Sequence, residues 1–236
     1  MAPAERSAAI ARVGAVYFDL YGTLVDLGPL DAACEAVVPG HGADFARAWR
    51  AEQIRLTWLR TIMVTWVDFE RVTEAALRAI ATRFDVDPST ASGLLGGAFD
   101  ALPARPEAPA AIGSLRAAGI RVGVLSNGSR PMIGRALADT TLAGLFDDLL
   151  SVDQVRRFKP DPAVYAMAVR ASGLEPAEIG FVTANDWDAV GAAAYGFRVA
   201  WLRSPGAPEP PSVGAPDPAV ATWAGLSRFA TDSSGM

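Results

Sequence analysis

Cysteine and histidine are almost missing from this chain of 236 residues, which holds one of each, Cys34 and His41. A lone thiol rules out an internal disulfide framework and agrees with a reducing compartment. With one histidine to activate it, Cys34 reads as a small buried hydrophobe rather than a nucleophile. His41 lies in the Gly-rich turn PGHGAD and reads as a solvated loop residue. Scarcity of both types argues against a zinc site of the usual ligands. A basic excess is also lacking. The formal charge of -5 disfavours nucleic acid and anionic membrane as partners, since both need a cationic surface. No apolar run approaches the roughly 18 residues that span a bilayer. The start, MAPAERSAAIARVG, carries an acid and no long apolar stretch of the kind a secretory leader has. A cytoplasmic location is expected, and a small anionic substrate stays compatible with a locally cationic pocket.

What the chain does have is apolar content: 51% hydrophobic residues, enough for a sizeable core. Four short apolar runs read as buried strands, GAVYFDL near 15–20, IRVGVLSN near 120–127, IGFVTAN near 179–185 and RVAWLRS near 198–204. Helical stretches ending at Gly119, Gly173 and Gly196 precede the last three, each glycine suiting the left-handed residue that comes after a helix. Strand and helix in alternation predict an α/β fold, a Rossmann-like doubly wound parallel sheet with right-handed crossovers. Between 28 and 100 the rhythm breaks into helical periodicity alone, in FARAWRAEQIRLTWLRTIM and FERVTEAALRAIATRF. This segment reads as a helical cap inserted after the first strand, with core residues 12–27 and 101–230 on either side and the Pro-rich LPARPEAPAA at the return. The stretch SPGAPEPPSVGAPDP near 204–218 reads as an extended surface loop. No internal repeat is present.

An open parallel sheet binds ligands at the carboxyl ends of its strands, which here carry Asp19, Ser126, Thr183 to Asn185, and Arg203. A carboxylate ending an apolar strand is costly unless something uses it, the alternative being a cap for the next turn. SNGS adds the Ser126 hydroxyl and backbone N–H groups in an anion-binding nest. Lys159 precedes Pro160 and Pro162, which fit a helix start whose N-terminus also favours anions. Asn185, Asp186 and Asp188 come after the third run. Singly these are ordinary capping residues; their convergence on one edge points to a site.

DLYGTL at 19–24, WRAEQIRLTWLR at 49–60, LSNGS at 125–129, FKPDPAVY at 158–165 and NDWDA at 185–189 together resemble the haloacid dehalogenase superfamily, and within it the L-2-haloacid dehalogenases. The superfamily also contains magnesium-dependent phosphatases, which carry an acid two residues after the nucleophile and a metal-binding aspartate four residues before the one matching Asp188. Tyr21 and Ala184 occupy those positions here. Halide leaves without a proton, fluoride excepted, so dehalogenation dispenses with the acid, and a methyl group cannot ligate Mg²⁺. No cofactor or metal is expected, although Asp186 could substitute as a ligand from a shifted position.

The resemblance implies that Asp19 attacks C2 of an (S)-2-haloalkanoic acid, giving an ester, and that water then attacks the ester carbonyl to release an (R)-2-hydroxy acid. It implies that Ser126 and backbone N–H groups near Leu20 and Asn127 hold the substrate carboxylate, while Lys159 orients Asp19 and offsets anion repulsion. Arg50, with Asn127 as second donor, would receive the halide, although a solvated helix arginine is the alternative. Asp188 would activate water, positioned by Asn185 and Thr183, with Thr23 bonded to the nucleophile. Trp187, Ile54, Phe69, Tyr165 and the Tyr21 position would line the substrate; the first four could equally be plain core residues, the better reading for Phe69. The family usually has Ser at the place of Thr183 and commonly Ser and Ala at those of Ala184 and Asp186, so the charge of Asp186 could weaken anion binding or favour another substrate. Rival readings are ring opening of azetidine-2-carboxylate, phosphate-ester hydrolysis, and ligand binding without turnover. The Leu, Trp and Met content of the insert suits a homodimer interface.

Overall fold

A computed structural model describes residues 13–100, 102–203 and 218–231. Six strands form one all-parallel sheet in the order β3-β2-β1-β4-β5-β6. They are β1 (Ala15–Phe18), β2 (Arg121–Ser126), β3 (Asp148–Ser151), β4 (Ile179–Thr183), β5 (Arg198–Trp201) and β6 (Ala219–Val220). Every residue of β1 and β4 is buried, as expected for strands covered on both faces. The four expected runs are all strands; β3 and β6 are additional. The surface loop expected at 204–218 lies outside the described residues except for its last position.

The sheet reverses its winding between β1 and β4, so the switch-point crevice opens above their carboxyl ends. One glycine sets how closely the strands lie there. Gly123 pairs with Tyr17 on one side and Asp148 on the other, and a Cβ would fall 2.4 Å from the Tyr17 ring. The freed space lets Tyr17 donate to Asp148 Oδ2 at 2.8 Å, and Arg121 grips the same carboxylate at 2.6 and 2.7 Å.

Helices α5 (Ala108–Ala117), α6 (Arg130–Ala138), α7 (Pro162–Ser172) and α8 (Asp186–Tyr195) alternate with the strands, and α9 (Leu226–Thr231) closes the described chain. Gly173 and Gly196 end α7 and α8 in the left-handed conformation, and Gly119 shares it after α5, as the sequence implied.

Among the described residues four helices and no strand come between β1 and α5: α1 (Pro29–Glu35), α2 (Gly42–Ile62), α3 (Phe69–Arg83) and α4 (Pro88–Leu95). The chain leaves and returns through paired backbone, Asp26 N–H to Pro103 O at 2.8 Å and Arg105 N–H to Leu24 O at 2.8 Å. The face of α3 carrying Phe69, Val72, Ala76, Leu77 and Ile80 is buried, the spacing of an amphipathic helix. Cys34 is buried and its thiol is pushed up to about 11 by that burial, while His41 is exposed before α2. Among the described residues no helix is long and apolar enough to cross a membrane.

Candidate active site

Asp19 comes directly after β1, its N–H continuing the ladder to Val182 O of β4 at 2.9 Å. The carboxylate is buried and each oxygen has its own donors. Oδ2 accepts from Thr23 Oγ1 at 3.0 Å and Asn185 Nδ2 at 2.8 Å; Oδ1 accepts from Lys159 Nζ at 3.1 Å. Thr23 is fixed in turn by the N–H of Ala184 at 2.9 Å. Asn185 also donates to Tyr21 O at 3.2 Å, and Thr183 Oγ1 accepts the Asn185 N–H at 3.1 Å. The turns after β1 and β4 are thus tied together by the side chains that hold the carboxylate.

Lys159 is the only lysine in the chain. It is fully buried, and its ammonium also reaches Asp188 Oδ2 at 2.8 Å. Burial alone would lower its pKa; Asp188 and Asp19 outweigh that and raise it. Asp188, in the first turn of α8, receives Tyr165 OH on Oδ1 at 2.8 Å. Burial raises the Asp188 carboxyl to about 6, with Lys159 opposing and the charge of Asp19 adding to the rise. Two carboxylates share one ammonium, which leaves a net negative charge in a buried space.

Asn127, at the end of β2, accepts the Lys159 N–H on Oδ1 at 2.9 Å. That bond fixes the amide so that Nδ2 is the free end, and Nδ2 is buried without a partner, as is Tyr21 OH. An unmet buried donor costs on the order of 1–3 kcal/mol, a cost that an acceptor entering the site would relieve. Ser126 is buried, and its Oγ accepts the Gly128 N–H at 3.0 Å. That N–H therefore closes the loop on itself instead of joining the expected nest.

Arg50 and Ile54 reach the site from α2. A cleft of about 630 Å³ is lined by Arg50, Ile54, Trp58, Asn185 and Trp187. Arg50 bonds Gln53 and lies over the Phe99 ring at 5.7 Å. Its surroundings lower its pKa to about 10 through burial, with the negative charge of Asp19 opposing, so it remains a cation at neutral pH facing the nucleophile. Asp186 Oδ1 accepts the Trp187 N–H at 2.7 Å, placing its carboxylate at the start of α8. Leu20 is fully buried, and its carbonyl accepts the N–H groups of Thr23, Leu24 and Val25 in the turn beneath the nucleophile.

Two expected lining residues, Tyr165 and Tyr21, sit elsewhere, and Phe69 lies in the core, the reading preferred for it. Tyr165 is fully buried behind Asp188, against Phe181, Tyr195 and Phe197, so it supports a carboxylate rather than forming a substrate wall. Phe69 is core, packed on Tyr21 and Phe158. Tyr21 itself belongs to this aromatic cluster, at 5.6 Å from Phe99, with burial pushing its phenol up. Sequence reasoning missed Gln53, buried between Arg50 and Thr73, and Trp58, edge-on to Trp187 at 6.1 Å. Their signal was spacing: Gln53 is three residues after Arg50 and Trp58 four after Ile54, each on the same helix face.

Residues 13–196 match the family model for haloacid dehalogenase-like hydrolases. An (S)-2-haloacid dehalogenase of Pseudomonas fluorescens is 41% identical over 192 residues, covering 80% of this chain and 84% of that protein. A crystal structure of an L-2-haloacid dehalogenase superposes with a TM-score of 0.87 at 36% identity, over 93% of this chain and 99% of the other. A second, from Xanthobacter autotrophicus with chloropropionic acid covalently bound, gives a TM-score of 0.82 at 31% identity over 92% and 98%. With this fold, a buried carboxylate at the switch point and these relatives, the chain belongs to the L-2-haloacid dehalogenase family of the haloacid dehalogenase-like hydrolases.

Proposed function

We propose that the protein hydrolyses small (S)-2-haloalkanoic acids to (R)-2-hydroxy acids through an ester on Asp19, without a metal. The observation that carries this is the shared Lys159 ammonium, 3.1 Å from Asp19 and 2.8 Å from Asp188. It joins a nucleophile and a base in one buried unit. Oδ2 of Asp19 already accepts two hydrogen bonds and Oδ1 only one, so Oδ1 is the attacking atom. It forms a bond to C2 in line with the breaking carbon–halogen bond, and the halide leaves with its electron pair. Arg50 and the unpartnered Nδ2 of Asn127 receive the halide. Ser126, with backbone N–H groups near Leu20 and Asn127, receives the substrate carboxylate. Ile54 and Trp187 exclude water around C2.

Asp188, held by Tyr165 and Lys159, then takes a proton from water as the water oxygen attacks the Asp19 carbonyl carbon. Inversion at C2 occurs once. Tyr21 and Ala184 stand where phosphate-ester hydrolysis by a related phosphatase would need an acid and a metal-binding carboxylate, which favours this reading over a phosphatase. Residues 28–100 form the cap that closes the site over the core of 12–27 and 101–230. The protein works as a cytoplasmic homodimer; the exposed Leu59, Met63 and Val64 near the end of α2 support pairing through the cap, and a monomer in light scattering would contradict it.

The test is halide release from (S)- and (R)-2-chloropropionate in EDTA, comparing wild type with Asp19→Asn. Release from the (S) acid by wild type alone is expected. Release that requires added Mg²⁺, or ring opening of azetidine-2-carboxylate with no halide release from any 2-halo acid, would overturn the proposal.

A further inference from the structure

We infer that this enzyme takes 2-halo acids with an extended hydrocarbon tail, and that the distal carbons lie in a second cleft beyond the Trp58–Trp187 pair. The inference rests on the proposed function and specifies its substrate class. This cleft, of about 830 Å³, is lined by Ile62, Phe158, Pro160 and Val190, together with Trp58 and Trp187. Those two tryptophans also line the cleft that holds Arg50 and Asn185, so one edge-to-face pair is the wall between the two spaces. Pro160 is next after Lys159, and Trp187 precedes Asp188. The apolar cleft is therefore lined by direct chain neighbours of two of the reacting groups.

Its shape comes from α8. Trp187, Val190, Gly191 and Ala194 share one helix face, and the two small residues leave a groove past the indole. A Cβ on Gly191 would lie 2.5 Å from Pro160 Cβ and 2.6 Å from Tyr165 OH, so the glycine lets α8 rest on the segment that carries Lys159. The lining holds no cation to meet a carboxylate, and its side-chain hydroxyls are those of Thr61 and Tyr195. Its one acid, Asp161, already caps α7 through the Ala163 N–H at 2.9 Å and lies 3.9 Å from Arg157. An occupant thus has its charged end elsewhere and its hydrocarbon here, which describes a 2-halo acid whose head is on Asp19. Trp58, on α2, is 37% exposed, so the wall has a solvent-facing edge, and the tail reaches the cleft past it.

The experiment is the ratio of kcat/KM for (S)-2-bromooctanoate to that for (S)-2-bromopropionate, measured in one protein so that general losses cancel. Each buried methylene is worth about 0.8 kcal/mol, or about fourfold, so the wild-type ratio should exceed about tenfold. Ala194→Trp fills the groove from an exposed position and should bring the ratio to about one or below. A wild-type ratio below one, or a ratio that survives Ala194→Trp, overturns the inference. So does a variant that separates a dimer in light scattering without changing the ratio, because the cleft's occupant is then a second copy of the chain. If no acid in the series releases halide, the proposed function falls instead, and calorimetry decides the cleft. In that case (R)-2-hydroxyoctanoate should bind about tenfold tighter than (R)-lactate in wild type and equally in Ala194→Trp; equal binding in wild type overturns the inference.

Discussion

The sheet side and the helical side of the site hold their charges in different ways. On the sheet side Asp19, Lys159 and Asp188 are buried, and their mutual contacts with Thr23, Asn185 and Tyr165 fall between 2.8 and 3.1 Å. On the helical side Arg50 is half-buried, supported by Gln53 and the face of Phe99, with Arg47 on the same cleft. A charge network in the interior cannot lose a member cheaply, because the remaining charge is left without solvent or partner. Losing Arg50 leaves the buried amide oxygen of Gln53 without its donor but strands no charge. The reacting groups therefore belong to the rigid sheet edge, and the helical segment governs what reaches them.

Substitutions can break this contrast. Asp19→Asn should have the largest effect, a loss of at least about 10⁴-fold in halide release, since the amide is no nucleophile; steady-state assays with (S)-2-chloropropionate measure it. Lys159→Met should abolish most activity and also cost about 3–5 kcal/mol of stability in denaturant unfolding, because two carboxylates then repel without a cation. Asp188→Asn should lose about 10³-fold in turnover yet release one halide per site in a first burst, with the ester accumulating on Asp19. Arg50→Gln should cost about 10²-fold in kcat/KM and leave the unfolding midpoint nearly unchanged. If Arg50→Gln destabilised the fold as much as Lys159→Met, the two sides would not differ as described.

The smallest effect concerns pH. Asp188 is raised to about 6, first by burial and further by the charge of Asp19. A base must be ionised, and Asp188 acts after the halide has left, so kcat should fall toward low pH when ester hydrolysis limits it, while kcat/KM, set once halide leaves, does not report this group. Esterification removes the Asp19 charge and with it part of the upward shift. The acid limb of ester hydrolysis, measured by rapid quench, should therefore lie below about 6. An acid limb at or above about 6 would mean that Asp19 and Asp188 are not electrostatically joined.

Much of this was legible in the sequence because strand ends carry the chemistry and apolar runs mark the strands. Asp19, Thr183 and Asn185 could be located from the residues at the carboxyl ends of β1 and β4 alone. Strand β3 was not legible, since DLLS has only four residues and Leu149 is partly exposed; β6 has two residues. Tyr165 was misplaced for a different reason. A tyrosine on α7 can face the crevice or the core, and only packing decides; here it turns inward to Asp188. The sole lysine was itself a signal. In a chain whose every other Lys or Arg position is arginine, one compact ammonium marks a place where the bulky guanidinium would not fit between two carboxylates.

The covalent role of Asp19 is tested most directly by a single turnover in heavy-oxygen water with enzyme in excess over (S)-2-chloropropionate. The heavy isotope should appear in the carboxylate of Asp19, found by mass analysis of its peptide, and the hydroxy acid should carry ordinary oxygen taken from the enzyme. Heavy oxygen in the hydroxy acid after that first turnover, with none on Asp19, would mean that water attacks C2 directly and that Asp19 is not the nucleophile.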